Sequence, residues 1–130
     1  MHRNPDRPLA PHLTVWKWGP HMLVSILHRV TGGGLAVVGV AGLAWWLAAA
    51  AGSPEAYDDF LAVATGPFGL LVGVGLTWAL FQHSLSGLRH LVMDIGAGFE
   101  LGRNKFWALA TLAGSLALTA ALWLWIWKGR

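Results

Sequence analysis

Three uncharged apolar stretches constrain this chain more than anything else in it. Val30 to Ala50 is the first, a stretch that begins between Phe60 and Pro67 and runs to Leu88 the second, and Phe106 to Trp127 the third; none contains Asp, Glu, Lys or Arg. At about 1.5 Å rise per residue each is long enough to cross a hydrocarbon core of roughly 30 Å. A soluble domain carries about 25% charged residues. Here only 12% of 130 residues are charged and 55% are hydrophobic, too little polar surface for life in water. The sequence predicts an all-α membrane protein, three transmembrane helices in one helical bundle. Residues 1–130 form a single transmembrane anchor domain, with an arm over 1–20 and spans at about 22–50, 63–93 and 105–127.

The opening segment MHRNPDRPLAPHLTVWKWGPHM does not read as a signal peptide, since it lacks an apolar core and a small-residue cleavage site. Its prolines, Pro5, Pro8, Pro11 and Pro20, predict an extended arm, with Pro20 suited to the first turn of a helix. No cysteine is present, which excludes disulfides, thiolate metal sites and covalent haem attachment. Orientation follows from the loops. The arm carries Arg3, Arg7 and Lys17, Arg29 stands at the mouth of the first span, and Arg89, Arg103 and Lys105 flank the second connection. The first connection has only Glu55, Asp58 and Asp59. The positive-inside rule therefore places the N-terminus and the second connection in the cytoplasm, with Lys128 and Arg130 as exceptions on the far side. Trp16, Trp18 and Trp107 mark one interface, and Trp45, Trp46, Trp123, Trp125 and Trp127 the other. The net charge of +3 reflects this topology and does not point to nucleic acid.

Polar side chains at the edge of such spans are expensive unless something uses them. In VSILHRVTGGG, Val24 to Gly34, Ser25 lies three residues before His28 and four before Arg29, so the three project from adjacent parts of one helical face at interface depth. Arg29 alone is explained by snorkelling to lipid headgroups; a serine and a histidine beside it gain little from lipid. The second span ends in HSLSGLRHLVMDIG, where His83, Gly87, His90 and Asp94 form a single stripe. His83 is the deepest, roughly 9 Å below Arg89 at the helical rise. Histidine is the usual axial ligand of b-type haem, and a glycine one turn away leaves room for a flat macrocycle. Arg29, Arg89, His28 and His90 are cations or donors at the depth of its propionates. A histidine hydrogen-bonded to a neighbouring helix, with Gly87 as a close-packing site, explains the same stripe. Because no second histidine lies inside the three uncharged stretches, six-coordinate haem would need a ligand from another chain, in a hetero-oligomer or a homodimer.

The stretches RPLAPHLTVWKWGPHMLVSILHRVTG (Arg7 to Gly32) and HSLSGLRHLVMDIG (His83 to Gly96) resemble the two signatures of the cytochrome b subunit of succinate dehydrogenase, the larger membrane anchor of respiratory complex II. The resemblance covers nearly the whole chain. It departs in the arm, where Ala10 stands at a position commonly serine and Val15-Trp16 where Ile-Tyr is usual. It implies His83 as an axial ligand of haem b, with the other ligand from a second small anchor subunit. It implies Ser25 and Arg29 in a ubiquinone site, His28 near a haem propionate, and Gly87, Arg89 and His90 around the haem. It further implies iron–sulfur and flavoprotein subunits as partners, ubiquinone as substrate and a place in a bacterial inner membrane. The subunit is then non-catalytic alone and contributes the quinone-reduction site. A fumarate reductase anchor working with menaquinol and a haem-free structural anchor share the architecture. A transporter does not fit, because the distal halves of all three spans lack ionisable residues.

Overall fold

The computed structural model describes residues 18–129, and helices dominate it. Gly19 is extended (φ −149°, ψ 163°) and Pro20, whose missing N–H is no loss in a first turn, starts α1 (Pro20–Gly34). Three successive glycines, Gly32 to Gly34, weaken the α preference there. The chain then makes a π-helical turn over Leu35–Gly39 before α2 (Val40–Ala51). Backbone angles stay helical through both junctions, so Pro20–Ala51 is one apolar rod of 32 residues.

α3 (Pro54–Thr65) fills the acidic connection, where the sequence reading had placed only a loop and the beginning of the second span. Its start is locally dictated. Ser53 accepts a hydrogen bond from the Ala56 N–H at 3.3 Å, Pro54 occupies the first turn and Glu55 faces the positive helix end. The Ser53 hydroxyl and the Glu55 backbone N–H hold the Glu55 carboxyl below its ordinary range. At Gly66 the backbone turns extended (ψ 170°), and Pro67 opens α4 (Pro67–Asp94). The link to α5 (Leu101–Lys128) turns on Gly96 and Gly98, whose φ of 86° and 79° suit residues without a Cβ. The three long helices are each apolar enough to cross a membrane. The arm lies almost wholly outside the described residues, and with it Arg3, Arg7 and Lys17, on which the cytoplasmic placement of the N-terminus rests.

α4 is central, packed against α1, α5 and α3, while α1 also reaches α5. The interior inverts that of a soluble protein. Thr31, Gln82, Ser86, Thr111, Ser115 and Thr119 are buried, whereas Leu71, Trp125 and Ile95 are 72%, 73% and 82% exposed. Lipid tails are as apolar as leucine, so burying leucine gains nothing; small and hydrogen-bonding side chains let helices close. Of the small-residue stripes on α5, the one through Thr111, Ser115 and Thr119 is buried, while Ala113, Ala117 and Ala121 face outward. Gly114 sits beside the buried stripe, where a Cβ would stand 3.2 Å from Leu85 Cδ1. Gly114→Leu is therefore expected to separate α4 from α5 and destabilise the anchor by about 1–3 kcal/mol, as overpacking does. Thermal denaturation in detergent reads this effect, and an unchanged midpoint would show that the contact yields freely.

Candidate functional site

Helical periodicity turns His83, Gly87 and His90 of α4 toward α1, where His28 meets them. The His28 and His83 rings stack at 4.1 Å with an interplanar angle of 6°. His90 lies 4.8 Å from His28, tilted by 56°. His83 Nδ1 is 3.1 Å from the His28 carbonyl oxygen. A carbonyl only accepts, so Nδ1 carries a proton and donates, and in the neutral ring the lone pair is then on Nε2. Thr31 Oγ1 lies 3.5 Å from the same nitrogen while its hydroxyl donates to the Leu27 carbonyl at 2.7 Å. The imidazole is thus held at one nitrogen and free at the other, the arrangement seen in metal-ligating histidines.

Gly32 makes the approach possible. A Cβ on it would lie 2.8 Å from His83 Cε1, closer than real atoms come. Sequence reasoning passed over this glycine and singled out Gly87, where a Cβ would be 3.7 Å from His28 Nε2, an ordinary contact. The described structure thus sets the His28 ring over Gly87. His90 Nδ1 is buried without a hydrogen-bond partner, a donor or acceptor left over for something else.

The structure does not gather every candidate residue in one place. Arg89, six residues from His83 and so roughly 240° around the helix, points away from the histidines. It is 9% exposed, with Nη2 donating to Asn104 Oδ1 of α5 and Nε without a partner. Ser25 is half-buried and Arg29 exposed on α1; neither makes a hydrogen bond or ion pair among the described residues. Asp94 is exposed at the end of α4, and the ion pair found among the described residues joins Arg103 to Glu100 at 3.1 Å. Sequence reasoning missed Gln82. This side chain is fully buried, donates from Nε2 to Ser86 Oγ at 3.0 Å and accepts from the Ser115 hydroxyl at 2.7 Å. A long amide inside an apolar span was the available signal.

No group of three or more His, Asp or Glu is arranged to hold a metal ion among the described residues. His83 instead offers a single nitrogen, which suits a metal that brings its own equatorial ligands. A three-span helical membrane protein with a pre-oriented histidine on its second span is the class these features define. The chain belongs to the family described as succinate dehydrogenase/fumarate reductase transmembrane subunit, whose model matches residues 3–122. It is 40% identical over 113 residues to the succinate dehydrogenase cytochrome b556 subunit of Paracoccus denitrificans, covering 87% of this chain and 86% of that one. The corresponding subunit of Rickettsia conorii is 35% identical over 119 residues, 91% of each chain. The mitochondrial cytochrome b560 subunit of Mus musculus is 36% identical over 103 residues, 74% of this chain and 57% of its own length.

Proposed function

We propose that this chain is the haem b- and quinone-binding membrane anchor of a succinate dehydrogenase, passing electrons from an iron–sulfur subunit to ubiquinone. The observation that carries the reading is His83, oriented through Nδ1 by the His28 carbonyl with Nε2 left open, in a family whose similar members are named cytochrome b556 subunits. Those names also favour succinate oxidation over fumarate reduction as the working direction. The partners are a flavoprotein subunit, the iron–sulfur subunit and a second small anchor that supplies the other axial ligand. The complex sits in a bacterial inner membrane with the arm on the cytoplasmic side.

The residues fit haem b. Bound haem supplies a one-electron centre inside a low-dielectric span. The Nδ1–H donation to the His28 carbonyl fixes the His83 tautomer and raises the basicity of Nε2. Gly32 lets α1 close on the ring. His28 and His90, in contact with each other, present donors to propionate oxygens, and the unpartnered His90 Nδ1 suits that role. Arg89, tethered by Asn104, adds positive charge at the same end.

Ser25 and Arg29 act on the quinone. Reduction to quinol takes two electrons and two protons, and negative charge develops on the carbonyl oxygens as electrons arrive. The exposed Arg29 guanidinium meets that charge with a fixed cation, and the Ser25 hydroxyl donates to a carbonyl. Both are worth more at a desolvated interface than in water. Affinity purification of the tagged chain from native membranes tests the whole assignment. The flavoprotein and iron–sulfur subunits are expected to co-purify, identified by mass spectrometry, together with a b-type α-band in the reduced-minus-oxidised spectrum. Soluble subunits without that band would remove the cofactor, and their absence would remove the assignment.

A further inference from the structure

The largest fully buried side chain among the described residues is polar: Gln82, at 0% exposure. An amide so placed is costly unless bonded, and this one is bonded at both ends, to Ser86 one turn along α4 and to Ser115 across on α5. Ser115 is itself buried; its single hydroxyl proton is shared between Gln82 Oε1 at 2.7 Å and the Leu112 carbonyl at 2.9 Å, and its own carbonyl accepts from Thr119 at 2.7 Å. Gln82 immediately precedes His83. Successive helical residues point about 100° apart, so one residue grips α5 while the next grips the His28 carbonyl of α1. The rotation of α4 about its axis is fixed by two directional bonds at adjacent positions.

Interhelical hydrogen bonds within membranes contribute modestly to stability, and a leucine at position 82 would pack in similar volume. What an apolar side chain lacks is direction. A ring nitrogen roughly 6 Å from the helix axis moves about 0.5 Å when the helix turns by about 5°, more than the ~0.2 Å that metal–ligand distances tolerate. We infer that the Gln82–Ser115 hydrogen bond is a rotational stop on α4 that positions His83 for axial ligation. Gln82 is then a positioning residue, acting through the α4 backbone without touching the cofactor. The inference rests on the haem reading above.

The test uses the assembled complex carrying Gln82→Leu, Ser115→Ala or Ser115→Thr, with His83→Ala alongside. The readouts are the low-spin EPR g-values and the midpoint potential at measured haem content. Gln82→Leu and Ser115→Ala are expected to assemble and to oxidise succinate with a soluble acceptor at wild-type rate. Their g-values are expected to be displaced and broadened, with a shifted potential. Ser115→Thr retains the hydroxyl and is expected to keep wild-type values. Should Gln82→Leu assemble poorly, Ser115→Ala, a smaller change on a good helix former, carries the comparison. Wild-type g-values and potential in Gln82→Leu and Ser115→Ala, with haem lost from His83→Ala, would overturn the rotational stop and leave the haem reading standing. A Ser115→Thr displacement equal to that of Ser115→Ala would overturn it too. Haem retained unchanged in His83→Ala overturns the ligand assignment, and the stop with it.

Discussion

Complex assembled with His83→Ala is expected to lose the low-spin b-type α-band. The neighbouring imidazole that remains, His28, stacks on His83 and lies over Gly87, and among the described residues only His83 is held at Nδ1 by a backbone carbonyl. The loss need not unfold the helix, since alanine is the best helix former, and removing the ring relieves the packing against Gly32. Two companion variants separate ligation from orientation. Thr31→Val keeps the imidazole and its Nδ1–H bond to the His28 carbonyl and removes only a hydroxyl 3.5 Å from Nδ1, so the α-band is expected to survive with a small shift. Gly32→Val places a Cβ 2.8 Å from His83 Cε1 and is expected to displace the ring, giving spectral loss with the histidine still present. Gly87→Leu is expected to act the same way by crowding the His28 ring. An unchanged spectrum and midpoint potential in His83→Ala would eliminate it as ligand.

Quinone reduction is expected to collapse in Arg29→Leu and to fall strongly in Ser25→Ala, while succinate oxidation by a soluble flavin-level acceptor survives. Loss of one charge-assisted contact in a desolvated site removes about 2–4 kcal/mol, roughly 30- to 1000-fold in rate. Arg29→Lys retains the charge but loses the planar fork, so an intermediate defect is expected. If Arg29 only snorkels, lysine serves equally and Ser25→Ala is silent. Equal quinone reductase rates in wild type, Ser25→Ala and Arg29→Lys, at matched complex content, would leave these residues with no part in the reaction.

The spans and the histidine stripe were legible in the sequence because both obey one-dimensional rules: apolar length against bilayer thickness, and 3.6-residue periodicity. The pairing of His28 with His83 was not legible, because the sequence sets His28 at interface depth and His83 below it; that α1 approaches closely enough to stack the rings depends on Gly32, a tertiary contact. Arg89 illustrates depth misleading. It stands level with the donors, yet its position six residues from His83 turns it toward Asn104 on α5. Attention to ionisable residues hid Gln82, although an uncharged amide in hydrocarbon carries the same demand for partners. α3 had a readable start in Ser53-Pro54-Glu55, but the acidic residues that follow resemble a solvated connection until a helix is known to form there.

The unbroken rod Pro20–Ala51 has a consequence for how the protein meets membranes of different thickness. Its 32 residues span about 48 Å, against a hydrocarbon core of roughly 30 Å. Tilt alone would have to exceed about 50° to absorb the difference, beyond the 0–40° range of transmembrane helices. The apolar part from Val30 onward is only about 33 Å long and needs little tilt, so the first turns before it must stand in the headgroup layer. Hydrophobic mismatch is therefore taken up by leaning the apolar segment. Ser25 and Arg29 ride at the lipid–water boundary whatever the acyl-chain length, in register with the surface and not with the bilayer midplane.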